Sequence, residues 1–291
     1  MKIGVLGCGV MGSGIAQLAA ASGKKVAIWE NSPELLAAGL AKVRKQFDRA
    51  EAKGKVTAER KAEIQGSLSG STDLAALADC DFVVEAVVED LAVKKALFAR
   101  LDAACEAKTI FASNTSSLRV ADIAAATKRP DRFCGLHFFN PAPLTKLVEV
   151  VRTEQSSEAT CAAALALARG LGKTPVTAKD AAGFVVNFVL TGTLFAAARA
   201  LEKGLASIED IDKAMTLGCG HPVGPLALMD MIGLDTTVKI ADILKAEHRD
   251  PMYECPAFVR AMVAKGWLGT KSGKGFYDYS GASPVANAAV L

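Results

Sequence analysis

Histidine is the side chain whose ordinary pKa lies nearest neutrality, and this 291-residue sequence has three: His137, His221 and His248. His248 stands in AEHRD, a charged helix end that solvent is expected to reach, and His221 in GCGHPVGP, a glycine- and proline-rich loop. His137 closes the apolar run CGLHFFN. A strand there would deliver it to the carboxyl edge of a parallel sheet, where ligands and catalytic groups collect. A core histidine would fit the same place, and Glu149 separates the two readings. It stands in KLVEVV among Val148, Val150 and Val151, and pairing of the two runs brings it beside His137. A carboxylate against one ring nitrogen fixes the tautomer and stabilises the imidazolium, as a proton-abstracting histidine requires. TIFASNTSSL is another apolar run ending in hydroxyls, where Ser116 and Ser117 can cap a helix, meet a substrate, or do both. Asn187, an amide in an uncharged helical stretch, needs a partner if buried, either structural or substrate.

An anion site precedes these groups. Gly7, Gly9 and Gly12, with Val10 and Met11 between them, form GxGxxG between an apolar run and a helical one. The first glycine permits the turn, the second lets backbone approach a pyrophosphate, and the third lets helix and strand pack closely. Glu30 ends the next apolar run, where a carboxylate accepts from ribose hydroxyls and repels a 2′-phosphate. The expected cofactor is therefore NAD rather than NADP, and Lys24 and Lys25, at the other end of that strand, cannot reverse the preference.

The elements that must hold these groups follow from periodicity. Strands are expected at Lys2–Leu6, Lys25–Glu30, Ser67–Gly70, Asp81–Ala86, Thr109–Ser113, Arg132–Phe138, Leu147–Arg152 and Thr174–Ala178. Helices are expected at Met11–Ala21, Pro33–Ala52, Leu91–Ala104 and Glu158–Gly170. This alternation specifies an α/β fold, a Rossmann-type, mostly parallel sheet covered on both faces. One link, FNPAPLTK between Phe138 and Leu147, is too short for a helical crossover and calls for an antiparallel extension. Beyond Lys179 only helices are expected, at Gly183–Lys203, Ser207–Leu217, Gly233–Glu247 and Pro256–Lys265. Two domains follow, 1–181 for the cofactor and an all-helical 182–291, ending in a frayed tail, GASPVANAAVL.

Composition narrows the class. The chain is 51% hydrophobic and 22% charged with a net charge of +3, an ordinary globular balance that gives no general argument for nucleic-acid or membrane binding. Its seven scattered cysteines form no CxxC pair, so no metal site is expected and buried free thiols in a reducing, cytoplasmic setting are. MKIGVLGCG is too short before Cys8 to be a lipoprotein signal, and the uncharged run at 181–198 reads as a buried helix rather than a membrane span.

The motifs SNTSS, GLHFFNPAP, KLVEVV, AGFVVN, HPVGPLALMDMIGLD and GTKSGKGFYDY, in that order, resemble the short-chain L-3-hydroxyacyl-CoA dehydrogenases over Lys2 to Tyr279. The resemblance implies oxidation of an (S)-3-hydroxyacyl-CoA to the 3-oxo ester with NAD, in a homodimer formed through the helical domain. It would make His137 the general base, Glu149 its orienting partner, Ser116 a donor to the substrate oxygen, and Asn187 a clamp on Ser116 and the thioester region. Glu30 would bind the adenosine ribose, while Glu89, Lys94, Asn140 and Lys271 would line the nicotinamide half. Arg49 and Lys53 would face the acyl-CoA phosphates. Their basic stretch, RKQFDRAEAKGK, has a plainer reading as a solvated face paired with Asp48 and Glu51. Three positions depart from the usual pattern: Glu30 for Asp, Ala182 for Pro and Phe188 for Arg. Two rivals remain at this level: a hydroxyacid dehydrogenase of the same plan, which would use a lysine catalyst, and an inactive NAD-binding relative.

Overall fold

A computed structural model describes residues 1–290. Eight strands form one sheet: β1 (Lys2–Leu6), β2 (Lys25–Trp29), β3 (Leu68–Ser71), β4 (Phe82–Glu85), β5 (Ile110–Ser113), β6 (Phe133–Phe138), β7 (Leu147–Arg152) and β8 (Thr174–Lys179). Their order is β3-β2-β1-β4-β5-β6-β7-β8. Every neighbouring pair is parallel except β6 and β7. The order reverses between β1 and β4, and at such a switch point the loops leaving the two strands part and open a crevice. The short link at 139–146 imposes the antiparallel pair, in which His137 lies directly opposite Glu149.

Alternation along the strands feeds two apolar layers. Ile3, Val5, Val26, Ile28, Val84, Leu136 and Val150 pack on one face with side chains from α1 (Val10–Ala21), α2 (Pro33–Ala52) and α6 (Glu158–Gly170). Val83, Phe111, Phe133 and Val151 pack on the other with α4 (Leu91–Ala104) and α5 (Val120–Ala124). His137 and Glu149 alternate with Leu136 and Val150, so their side chains stand on this second face. α3 (Ala58–Gly66) and α5 escape a reading from periodicity. The first buries only Ile64, and the second is five residues long.

The first compact unit runs from Met1 to Phe184, three residues past the expected domain edge, and a second starts at Val185. Those residues stay with the sheet because Asp180 accepts the Val120 and Ala121 amides at 2.8 and 2.7 Å, and Ala182 and Phe184 are buried.

The second unit contains α7 (Val186–Glu202), α8 (Ile208–Lys213), α9 (Pro225–Ile232), α10 (Leu234–His248) and α11 (Ala257–Ala264). Several expectations need correction here. Gly183 and Phe184 have φ of 78° and 47°, so the helix expected from Gly183 starts later. The one expected from Ser207 ends at Lys213 and passes into a π-helical turn, Ala214–Gly218. α9 has no polar face in its run LALMDMI, where Asp230 is the one charged residue and is itself buried, so it shows no helical alternation. The unit is not all-helical: β9 (Tyr277–Asp278) pairs with β10 (Val285–Ala286). The tail is therefore held rather than frayed, with Asn287 donating to the Gly275 carbonyl at 2.9 Å and Val290 buried. Asp230 anchors this hairpin by accepting the Phe276 and Tyr277 amides at 2.9 Å each and the Tyr279 hydroxyl at 3.0 Å. Burial, helped by Asp212, pushes the Asp230 carboxyl above the usual range. No helix is long and apolar enough to cross a membrane among the described residues.

Six cysteines are buried, but Cys219, just past the π-helical turn, is exposed, against the expectation of buried thiols throughout. Burial pushes the thiols of Cys8, Cys105 and Cys255 up to about 11 and that of Cys80 up to about 12. A thiolate-specific reagent such as Ellman's at pH 8 should therefore release about one equivalent from the native protein, lost in Cys219→Ser. Two or more fast equivalents would contradict the packing described for the other six.

Candidate active site

The β1–α1 turn is built for a close approach. Gly7 has a φ of +94°, and a Cβ on Gly12 would lie 2.0 Å from the Gly7 carbonyl oxygen. At Gly9 a Cβ would meet nothing within 4 Å, so the turn opens to space there. Gly9 is the N-cap of α1 and supplies no side-chain cap, which leaves the first-turn amides for an anion. Beside the turn, Glu30 accepts the Cys8 amide and the Asn31 amide, each at 2.8 Å. A cleft of about 970 Å³ runs over Gly7, Gly9, Val10, Met11 and Glu30 to Glu89, Lys94 and Ser116. Open backbone at the turn, a helix N-terminus and a carboxylate fixed at the end of β2 fit the pyrophosphate and ribose of a dinucleotide.

At the far end of the cleft, charge is buried. Lys94, 1% exposed, contacts Glu85 at 2.6 Å and Glu89 at 3.3 Å. Glu85 also accepts the Ser113 hydroxyl at 2.6 Å and the Val87 amide at 2.7 Å. One oxygen of Glu89 accepts from the Thr115 hydroxyl (2.6 Å), the Ser116 amide (3.0 Å), the Ser117 amide (3.2 Å) and the Ser117 hydroxyl (2.9 Å). Burial pushes the Glu89 carboxyl up, but Lys94 and these donors outweigh it and hold it below the usual range. The serine turn is thus set by its backbone, and Ser116 is held where it lines the cleft.

On the next strand, His137 Nδ1 lies 2.7 Å from Glu149 Oε2, with both groups buried. An ionised carboxylate only accepts, so the proton sits on Nδ1 and Nε2 is left as the acceptor. Phe139 and Phe184 flank the ring at 4.4 and 5.5 Å between centroids. The Phe138 amide donates to Asn114 at 2.8 Å, which ties the end of β6 to the serine turn.

Other expected site residues stand elsewhere. Asn140 is exposed beyond β6 and is not among the residues lining the cleft. Asn187, in the first turn of α7, and Lys271, paired with Asp235 at 2.5 Å, belong to the second unit. Arg49 and Lys53 are exposed at the end of α2. Asp48 and Glu51, their expected partners, instead hold Lys61 of α3 at 3.3 and 2.5 Å. His248 is half-buried against Phe188 and Tyr253 rather than solvated. Glu85, Asn114, Lys42 and Arg100 were not singled out from the sequence, and the last three line the cleft. Glu85 carries the signal that marked Glu30, a lone acid closing an apolar strand.

Residues 2–181 match the family model for the NAD binding domain of 3-hydroxyacyl-CoA dehydrogenase, and residues 183–279 match that for its C-terminal domain. The chain belongs to the 3-hydroxyacyl-CoA dehydrogenase family. Like other members it is an NAD-dependent dehydrogenase. It is 46% identical over 280 residues to a 3-hydroxybutyryl-CoA dehydrogenase of Mycobacterium tuberculosis, covering 96% of this chain and 98% of that one. It is 45% identical over 283 residues to the mitochondrial hydroxyacyl-coenzyme A dehydrogenase of Sus scrofa, covering 94% and 90%. The crystal structure of an (S)-3-hydroxybutyryl-CoA dehydrogenase from Ralstonia eutropha superposes with a TM-score of 0.93 at 44% identity, covering 96% of this chain and 99% of that one. Where this dehydrogenase departs from the usual arginine, Phe188 joins the aromatic cluster with His248 and Tyr253.

Breaking the buried pair by Lys94→Met should cost ~3–5 kcal/mol, because Glu85 would remain buried and unpaired. Urea unfolding should show much of that loss recovered in the Glu85→Gln, Lys94→Met double variant. Additive losses in the two single variants would mean the pair is not coupled.

Proposed function

We propose that this dehydrogenase oxidises short-chain (S)-3-hydroxyacyl-CoA esters, 3-hydroxybutyryl-CoA foremost, to the 3-oxo esters, and catalyses the reverse reduction. The observation that carries the reading is the His137–Glu149 pair, 2.7 Å apart on adjoining strands. The relatives named above, matched over nearly their whole length, support the acyl class.

His137 Nε2 takes the proton of the 3-hydroxyl while Glu149 stabilises the imidazolium that forms. Ser116 donates to the substrate oxygen, from a turn that Glu89 holds by its backbone. Phe139 and Phe184 keep the imidazole from bulk water, which strengthens its electrostatic interaction with Glu149. Bound NAD supplies the acceptor for the hydrogen and electron pair that leave the substrate's third carbon. Gly7, Gly9, Val10, Met11 and Gly12 would cradle its pyrophosphate, Glu30 its adenosine ribose, and Glu89 and Lys94 its nicotinamide half. Residues 1–181 serve as the cofactor domain and 182–291 as the substrate and dimerisation domain. Exposed Leu205, Leu217 and Met231 support a homodimer formed through the latter. Buried free thiols support a cytoplasmic setting.

In assays of NADH oxidation with acetoacetyl-CoA, His137→Gln should lower kcat by at least ~100-fold while NADH still binds. Near-parental turnover by that variant would remove His137 and Glu149 from the chemistry.

Arg49 and Lys53, free to meet a ligand now that Lys61 holds Asp48 and Glu51, make charge-assisted bonds to the CoA phosphates. Arg49→Ala with Lys53→Ala should raise KM for acetoacetyl-CoA and barely affect a truncated pantetheine thioester, and added salt should reproduce the difference. Equal losses on both substrates would show that this face does not touch CoA.

A further inference from the structure

We propose that Lys173 is a positioning residue for proton transfer, its ammonium holding the link between β6 and β7 in the shape that His137 and Glu149 require. The proposal rests on the roles given to those two residues above.

Lys173 is placed by a helix stop. Gly172, with φ +73°, ends the turn after α6, and the Lys173 amide closes back on the Ala168 carbonyl at 3.0 Å. The side chain is 7% exposed and runs inward. Its ammonium donates to the carbonyls of Ala142 (2.6 Å), Thr145 (2.8 Å) and Pro143 (3.2 Å). Among the described residues no carboxylate stands within ion-pair distance of it. Three donors therefore meet three acceptors, all within the eight-residue segment 139–146.

That segment bears directly on the proton-transfer pair. It follows the end of β6 at Phe138, one residue past His137, and leads into β7 at Leu147, two residues before Glu149. Its own bonds are few: the Leu144 and Thr145 amides both reach the Pro141 carbonyl at 3.0 Å, and Lys146 accepts the Thr174 amide at 2.8 Å. On its other side Ala142 is buried in the apolar layer against α1, where a Cβ on Gly14 would lie 3.2 Å from the Ala142 Cβ. The ammonium thus draws together three carbonyls that would otherwise repel one another and turn toward water.

A lysine is an expensive way to fill this space. Burial pushes its pKa below the ordinary lysine value, a sign that the charge is disfavoured by its surroundings. A methionine of similar length would pack at lower cost but would leave the carbonyls without donors. A charge kept here has its use in the shape of the segment, and through it in the register of His137 against Glu149.

The test compares Lys173→Met and Lys173→Arg with the parent enzyme in NADH oxidation with acetoacetyl-CoA, alongside hydrogen exchange of residues 139–146. Lys173→Met should lower kcat by ~10–100-fold, as small misplacements of reacting groups do. Its KM for acetoacetyl-CoA should stay within ~3-fold, and Lys173→Arg, which keeps the charge and donors, should retain kcat within ~3-fold. Exchange over 139–146 should quicken in Lys173→Met and not in Lys173→Arg. If Lys173→Met does not fold, Lys173→Gln takes its place with the same expectations. A folded Lys173→Met of lowered stability but parental kcat would make the residue merely structural and overturn the proposal, as would an arginine variant as slow as the methionine one. Should the parent itself fail to reduce acetoacetyl-CoA, the functional reading fails, and unchanged exchange in 139–146 would separately refute the anchoring.

Discussion

The arrangement depends on one contact, the hydrogen bond between His137 Nδ1 and Glu149 Oε2, made across the sheet's only antiparallel pair of strands. Directly opposed residues of an antiparallel pair share a face, so a one-residue slip would send the carboxylate to the opposite side of the sheet. Glu149 is fully buried, and an isolated carboxylate there would be costly. The imidazole offsets that cost and in return is fixed in one tautomer. A purely parallel sheet would need a crossover helix between the two strands and could not supply this register through an eight-residue link.

A second device recurs in both units: a carboxylate that collects backbone amides to fix a local backbone shape. Glu89 does this for the turn that carries Ser116, with Lys94 and Glu85 behind it. Asp230 does it for the hairpin at Phe276–Tyr279, and Asp212 accepts the Leu226 and Ala227 amides and the Tyr277 hydroxyl. Such groups cost desolvation and return definition, because each loop has one backbone conformation that satisfies every acceptor. A dehydrogenase that must hold a cofactor and a thioester against a proton acceptor has use for loops so defined.

Much of this is legible in the sequence. The glycine turn, Glu30, the strands through β8 and the antiparallel link follow from local signals: apolar runs, a glycine spacing, and a connection too short for a helix. What escaped was decided by tertiary packing. α3 shows the core little more than Ile64, so its polar sequence carries no period. α9 shows no polar face because its one charged residue, Asp230, is buried, and the last residues are held by β10, Asn287 and Val290, which no local pattern announces. His248 reads as solvated from its charged neighbours, while Phe188 and Tyr253, distant in sequence, cover it. Glu85 ends β4 as Glu30 follows β2, and the same lone acid at the end of an apolar strand marks both.

The tautomer of His137 tests the central claim most directly. With three histidines in the chain, ¹⁵N-labelled imidazoles give a spectrum simple enough to assign by the loss of one set of signals in His137→Gln. In its neutral form His137 should carry its proton on Nδ1, with Nε2 shifted as an unprotonated ring nitrogen, and Glu149→Gln should disturb that preference. A neutral His137 protonated on Nε2 would contradict the claim, because the nitrogen meant to accept the substrate proton would already hold one.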